Sequence, residues 1–89
     1  MTRVSNIVGA NKFNKPKGYN SWLGYWENHS KIKKIVCGTS GCSNTNLVGA
    51  HVRKSDQRDN SNYITPICKE CSKRTDEFDV HWMLIAVAE

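Results

Sequence analysis

A small α+β domain that needs a staple is the fold class the sequence predicts, and three observations predict it. The chain has 89 residues with 38% hydrophobic content, one short aromatic stripe at helical spacing, and four cysteines in two close pairs. A chain of this size leaves roughly 40% of its unfolded surface exposed after folding, so its core is marginal without a cross-link or a bound ion. The content is too apolar for wholesale disorder.

The elements follow in order. Residues 1–18 are rich in Asn, Lys and Gly and show no sustained period of 2 or 3.6, which reads as a basic, extended arm ahead of a single domain over 19–89. Ser21 is a helix N-cap residue, and Trp22, Tyr25, Trp26 and His29 recur at i, i+3, i+4 and i+7 behind it. The rings of that short helix are expected in the core, since a chain this small needs them buried. Lys31–Val36 alternates loosely and reads as a strand, as does Leu47–Val52 after the turn-prone Ser43-Asn44-Thr45-Asn46. Arg53–Asn62 is wholly polar and reads as a loop. Tyr63-Ile64-Thr65 is a short strand that Pro66 should halt, Lys69–Arg74 carries good helix formers, and Val80–Val87 reads as a terminal strand or extended segment.

The cysteines carry the chemistry. Cys37-x4-Cys42 and Cys68-x2-Cys71 are separated by 25 residues. Such spacings let both thiolates of a pair reach one ion from a single turn, and two pairs complete a tetrahedron. Four thiolates favour zinc or an iron–sulfur centre, and zinc is preferred where nothing suggests redox work. A closed set of four sulfurs makes that Zn²⁺ structural. Two disulfides would need an oxidising compartment, and a thioredoxin-like use of Cys68 and Cys71 would need a larger α/β fold. The N-terminus has no apolar h-region and no run approaches the roughly 20 apolar residues of a membrane span. The expectation is therefore a reducing, cytoplasmic setting with no membrane partner.

Charge is uneven. Residues 1–34 hold seven bases and one acid, a net +6, while residues 35–89 hold six bases and seven acids, a net −1. Phosphate backbones are the commonest target of such an asymmetry. The candidate nucleic-acid contacts are Lys12, Lys15, Lys17, Lys31, Lys33 and Lys34, joined by Arg53, Lys54 and Arg58 downstream. The bland reading of the same residues is a solvated leader and loop. His29 and His81 have no motif around them, and Asp76, Glu77 and Asp79 read as a solvated acidic cluster.

Cys37…Cys42, then Gly49-Ala50-His51-Val52, then Asn62-Tyr63-Ile64-Thr65-Pro66-Ile67-Cys68-Lys69-Glu70-Cys71-Ser72 resembles a treble clef, and more narrowly the zinc-bound subset of HNH nucleases. The resemblance covers residues 36–75, and implies an HNH-like ββα core with the aromatic helix before it and a terminal strand after it. In that family the strand commonly ends in Asp-His. The His is the general base, the Asp binds a catalytic ion, an Asn before the second knuckle steadies the base, and a His after the last Cys adds a metal ligand. Here His51 stands at the base position. Ala50 replaces the Asp, Tyr63 falls at the Asn position with Asn62 beside it, and Ser72 replaces the final His. The resemblance implies a retained scaffold without its chemistry.

Three functions remain in view: a zinc-binding module that binds nucleic acid without catalysis, a divergent nuclease using His51 as base, and a protein-interaction module displaying Trp22, Tyr25, Trp26 or Trp82.

Overall fold

The computed structural model describes residues 2–7, 18–19, 21–32, 35–55 and 62–87. Five strands and one helix are built from them: β1 (Thr2–Asn6), α1 (Trp22–Ser30), β2 (Leu47–Lys54), β3 (Tyr63–Cys68), β4 (Phe78–Val80) and β5 (Ile85–Ala86), with a 3-10 turn at Cys71–Lys73. The strands form one sheet in the order β4-β1-β2-β3-β5, every pair antiparallel.

Register assigns the two faces of this sheet, because residues opposite one another share a face and alternate along each strand. Val4, Val52, Ala50, Ile67, Phe78 and Val80 fall on one face and pack with three of the cysteines as the larger core. His51, Ile64 and Ile85 fall on the other, where α1 lies across β2, β3 and β5. Tyr25, Trp26 and Ile64 form the second core there.

The helix starts and stops as its residues dictate. The Ser21 hydroxyl accepts the Gly24 amide at 3.1 Å. At the other end Lys31 takes a left-handed conformation (φ 63°), and its amide donates to the Glu27 carbonyl at 2.9 Å. Trp26 is fully buried, and its indole nitrogen donates to the Met83 carbonyl at 2.8 Å. Gly49 permits the approach of α1: a Cβ there would stand 2.4 Å from the Leu23 nitrogen and 2.5 Å from the Trp22 carbonyl carbon.

Several expectations change. Residues 2–6 are not part of a separate arm: they form β1, an inner strand between β4 and β2 whose Val4 is fully buried. Of the strand expected over Lys31–Val36, the described residues 31–32 and 35–36 carry none: Lys31 caps the helix, and the Val36 carbonyl is taken by the Trp82 indole at 2.8 Å. β2 runs two residues further than expected, to Lys54, because β1 pairs with its end. β3 continues through Pro66 to Cys68. Pro66 faces away from β2, where its carbonyl accepts the Gly38 amide at 2.9 Å, so its missing N–H breaks no bond to β2. The helix expected after Cys68 is one 3-10 turn. The Ser72 hydroxyl donates to the Lys69 carbonyl at 2.6 Å, and Arg74 is already extended. The C-terminal segment yields β5 at Ile85–Ala86, and β4 sits earlier, ending where Val80–Val87 was expected to begin.

Candidate metal centre

The first cysteine pair sits on a tight loop. The Cys42 amide donates to the Thr39 carbonyl at 3.0 Å, closing a turn whose third residue is Gly41 at φ 83°, a conformation suited to glycine. The loop is pinned to β3 by the Gly38 amide, and the Trp82 ring lies directly on Gly38. A Cβ at that position would stand 2.6 Å from Trp82 Cδ1 and 2.8 Å from the Pro66 carbonyl oxygen. The second pair begins at the last residue of β3, turns through Lys69-Glu70, and ends on the 3-10 turn.

These loops bring the four Sγ atoms of Cys37, Cys42, Cys68 and Cys71 within 4.8 Å of one another. Cys37 and Cys71 are 3.7 Å apart, and Cys42 and Cys68 are 3.9 Å apart. Sulfurs held at about 2.3 Å around a tetrahedral ion are about 3.8 Å from each other, whereas a disulfide needs about 2.05 Å. All four are free thiols, three of them buried and Cys42 half-buried. The donor set therefore fits a metal ion. Backbone amides already point at the sulfurs, from Cys68 to Cys37 Sγ at 3.2 Å and from Cys71 to Cys68 Sγ at 3.4 Å.

Electrostatics support the same reading. Burial pushes the Cys37 thiol up, but the Thr39 hydroxyl and the amides of Cys68 and Thr39 outweigh it and bring the pKa down to about 7. Burial, reinforced by the neighbouring sulfurs, pushes Cys71 up to about 12. Cys42 is also raised: its Asn44 amide contact is outweighed by burial and by Cys37 and Cys68. Burial and neighbouring sulfurs thus oppose thiolates at Cys42 and Cys71, an opposition that a cation at the centre would relieve.

Three asparagines brace the loops. Asn6 of β1 donates through Nδ2 to the carbonyls of Cys71 and Arg74, each at 3.0 Å. Asn44 donates to Cys68 Sγ at 3.5 Å, and Asn46 to the Glu70 carboxylate at 3.1 Å. None of these was visible in the sequence, where asparagines in polar stretches read as turn residues. The packing of Trp82 was equally silent, since the Gly38 it covers lies 44 residues away in the chain.

His51, the candidate general base, lies inside β2 and faces α1, 4% exposed, with its ring 4.7 Å from that of Trp22. Burial lowers its pKa to about 4. Ala50 points to the opposite face of the strand, toward the Cys-lined core. Among the described residues, the only group of three or more His, Cys, Asp or Glu side chains placed to hold a metal is the cysteine set.

The candidate phosphate contacts scatter. Arg53 and Lys54, adjacent in sequence, lie on opposite faces of β2; Arg53 is exposed, and the Lys54 ammonium sits 4.8 Å over the Tyr63 ring. Lys31 is exposed at the end of α1. Lys12, Lys15, Lys17, Lys33, Lys34 and Arg58 lie outside the described residues. The aromatic side chains are committed to packing: Trp22 and Trp82 are half-buried against the second core, and Tyr25 and Trp26 are buried within it.

The chain matches no family model, no curated protein and no solved structure.

Proposed function

We propose that the protein is a binding module built around a structural Zn²⁺ held by Cys37, Cys42, Cys68 and Cys71, and that its partner is nucleic acid. The observation that carries the metal assignment is the four-sulfur set with its 3.7 and 3.9 Å separations. Zinc suits four thiolates in a tetrahedron, and a set of four protein sulfurs leaves no place for a substrate. The ion would supply cross-linking between the two cysteine loops, and the chain's own residues supply the rest. Amides of Cys68 and Cys71 direct hydrogen bonds at the sulfurs, and Asn6 and Asn44 hold the loops in place.

A knuckle, a β2–β3 hairpin and a second cysteine pair at the hairpin's end follow one another as in a treble clef. That order supports the resemblance to zinc-bound HNH proteins, with a single 3-10 turn where the closing helix would stand. We read it as scaffold only. His51 faces a packed helix and not an open cleft, which argues against its use as a base toward a phosphodiester. The nucleic-acid assignment rests on the net charge of +5, concentrated upstream of Cys37.

The test is fluorescence anisotropy of the zinc-loaded protein with a labelled oligonucleotide across a salt series. Affinity should fall steeply between about 50 and 200 mM salt and vary little with sequence. Binding that ignores salt contradicts the reading, as does magnesium-dependent nicking that disappears in His51→Ala.

A further inference from the structure

The four sulfurs are alike as metal donors but not in their surroundings. Cys37 and Cys68 are fully buried and Cys71 is 8% exposed, whereas Cys42 is half-buried. Cys42 Sγ lies 3.9 Å from Cys68 Sγ, and Cys37 Sγ lies 3.7 Å from Cys71 Sγ, so each of these contacts joins the first cysteine loop to the second. Hydrogen bonds hold the loops in that register. The Cys68 amide donates to Cys37 Sγ at 3.2 Å, and the Cys37 amide donates to the Asn44 carbonyl at 2.8 Å. The Asn44 side chain in turn donates to Cys68 Sγ at 3.5 Å, two residues along the chain from Cys42. The most accessible sulfur is thus held against a fully buried one from the other loop.

We propose that the four-cysteine centre is an oxidation site for a peroxide, entered at Cys42 and resolved by Cys68, so that a disulfide across the loops takes over the link the ion provides. The proposal rests on the zinc reading above and adds a chemical response to it. The thiolate is the reactive form of a cysteine, and metal binding keeps the sulfurs deprotonated. Cys42 attacks one peroxide oxygen: an S–O bond forms, the O–O bond breaks, and hydroxide leaves. Cys68 then attacks the sulfur of the Cys42 sulfenic acid. An S–S bond forms, the S–O bond breaks, and a second hydroxide leaves. Two thiolates have lost two electrons to one peroxide. Cys37 and Cys71 remain as thiols, and two donors do not make a four-sulfur zinc site. The cross-loop bond is favoured over bonds within a loop. Cys42 and Cys68 are 26 positions apart, against five for Cys37 and Cys42 and three for Cys68 and Cys71, and a longer closed loop restricts the unfolded chain more. In a reducing compartment such a bond is transient, as suits a redox-sensing site.

The test treats the full, reduced, zinc-loaded chain with one equivalent of hydrogen peroxide. Released zinc is followed with a chromogenic chelator, against the same chelator without peroxide. Disulfides and free cysteines are then located by fragment mass spectrometry after alkylation. Zinc should be lost in step with formation of a Cys42–Cys68 bond, Cys37 and Cys71 should carry the alkyl label, and far-UV circular dichroism should keep its folded signal. Under limiting iodoacetamide without peroxide, Cys42 should be the first cysteine labelled. A first label at another cysteine overturns the entry point, and a Cys37–Cys42 or Cys68–Cys71 bond overturns the pairing. Zinc retained after one equivalent, or a folded signal lost together with the zinc, overturns the exchange of one link for the other. A chain that holds no zinc yet forms the Cys42–Cys68 bond overturns the metal reading and leaves the pairing standing. A zinc-loaded chain that forms a different bond does the reverse.

Discussion

Gly38 and Gly49 do different work from the glycine at the turn. Each is a point where a ring or a helix backbone touches the chain, and in each case a methyl group would meet an atom closer than 3 Å. At Gly49 the obstructing atoms are backbone, so the clash cannot be relieved by a rotamer change. Gly49→Ala should therefore lift α1 from the sheet and cost about 2–3 kcal/mol, the range of overpacked core substitutions. A urea midpoint indistinguishable from the parent's would contradict it. His51 lends itself to a second test at this scale. Its folded pKa is held near 4 by burial, against 6.5 when free, so the neutral form is favoured by folding. As pH falls through 6.5 the unfolded chain takes up a proton that the folded chain refuses, and stability is lost progressively down to about pH 4. By pH 5.5 that loss is about 1.4 kcal/mol. The parent should lose that much more than His51→Gln between pH 7.5 and 5.5 at saturating zinc. Parallel losses in the two proteins contradict a buried neutral imidazole.

β1 joins the start of the sheet to the cysteine cluster at the level of elements. Asn6 donates its two amide hydrogens to the Cys71 and Arg74 carbonyls, of which the first also accepts the Arg74 amide at 3.1 Å and the second lies just past the 3-10 turn. Asn6→Ala should cost about 1–3 kcal/mol and speed zinc loss to a chelator, because the Arg74 carbonyl loses its Asn6 donor and the Cys71 carbonyl keeps only the Arg74 amide. Asn6→Asp, which keeps the shape but loses the donors, should behave alike. The same strand shows why the sequence was only partly legible. Ser21, the aromatic spacing of α1, the strands over 47–52 and 63–65 and the close spacing of the cysteines are local signals, each contained in a few residues, and the helix, the two strands and the cysteine cluster stand where these signals lie. β1 was missed because five mixed residues acquire strand character only from partners about 50 and 75 positions away. Lys69–Arg74 failed for the opposite reason: helix propensity there is overridden by the tether to Asn6 and the return to β4. The four cysteines that come together are legible in their spacing, whereas the asparagines that brace their loops and the packing of Trp82 belong to contacts between distant segments.

Across the whole molecule, the sheet separates two small cores, one lined by cysteines and one built around Trp26. Neither is large, and Trp82 spans them by lying on Gly38 while its ring meets Trp26 at 6.0 Å. Through that contact the four-cysteine cluster and the helix share one cooperative unit. Chelation should abolish the folding transition of the entire chain, helix included, since the metal's binding free energy is folding free energy. Retained α1 signal in circular dichroism after zinc removal would contradict that coupling.

The central claim is the four-sulfur ion, and X-ray absorption at the zinc K-edge of the purified, zinc-loaded protein tests it most directly. The account predicts one zinc per chain with four sulfur neighbours at about 2.3 Å and no lighter donor. A first shell containing nitrogen or oxygen, or a chain that holds no stoichiometric zinc, would contradict it.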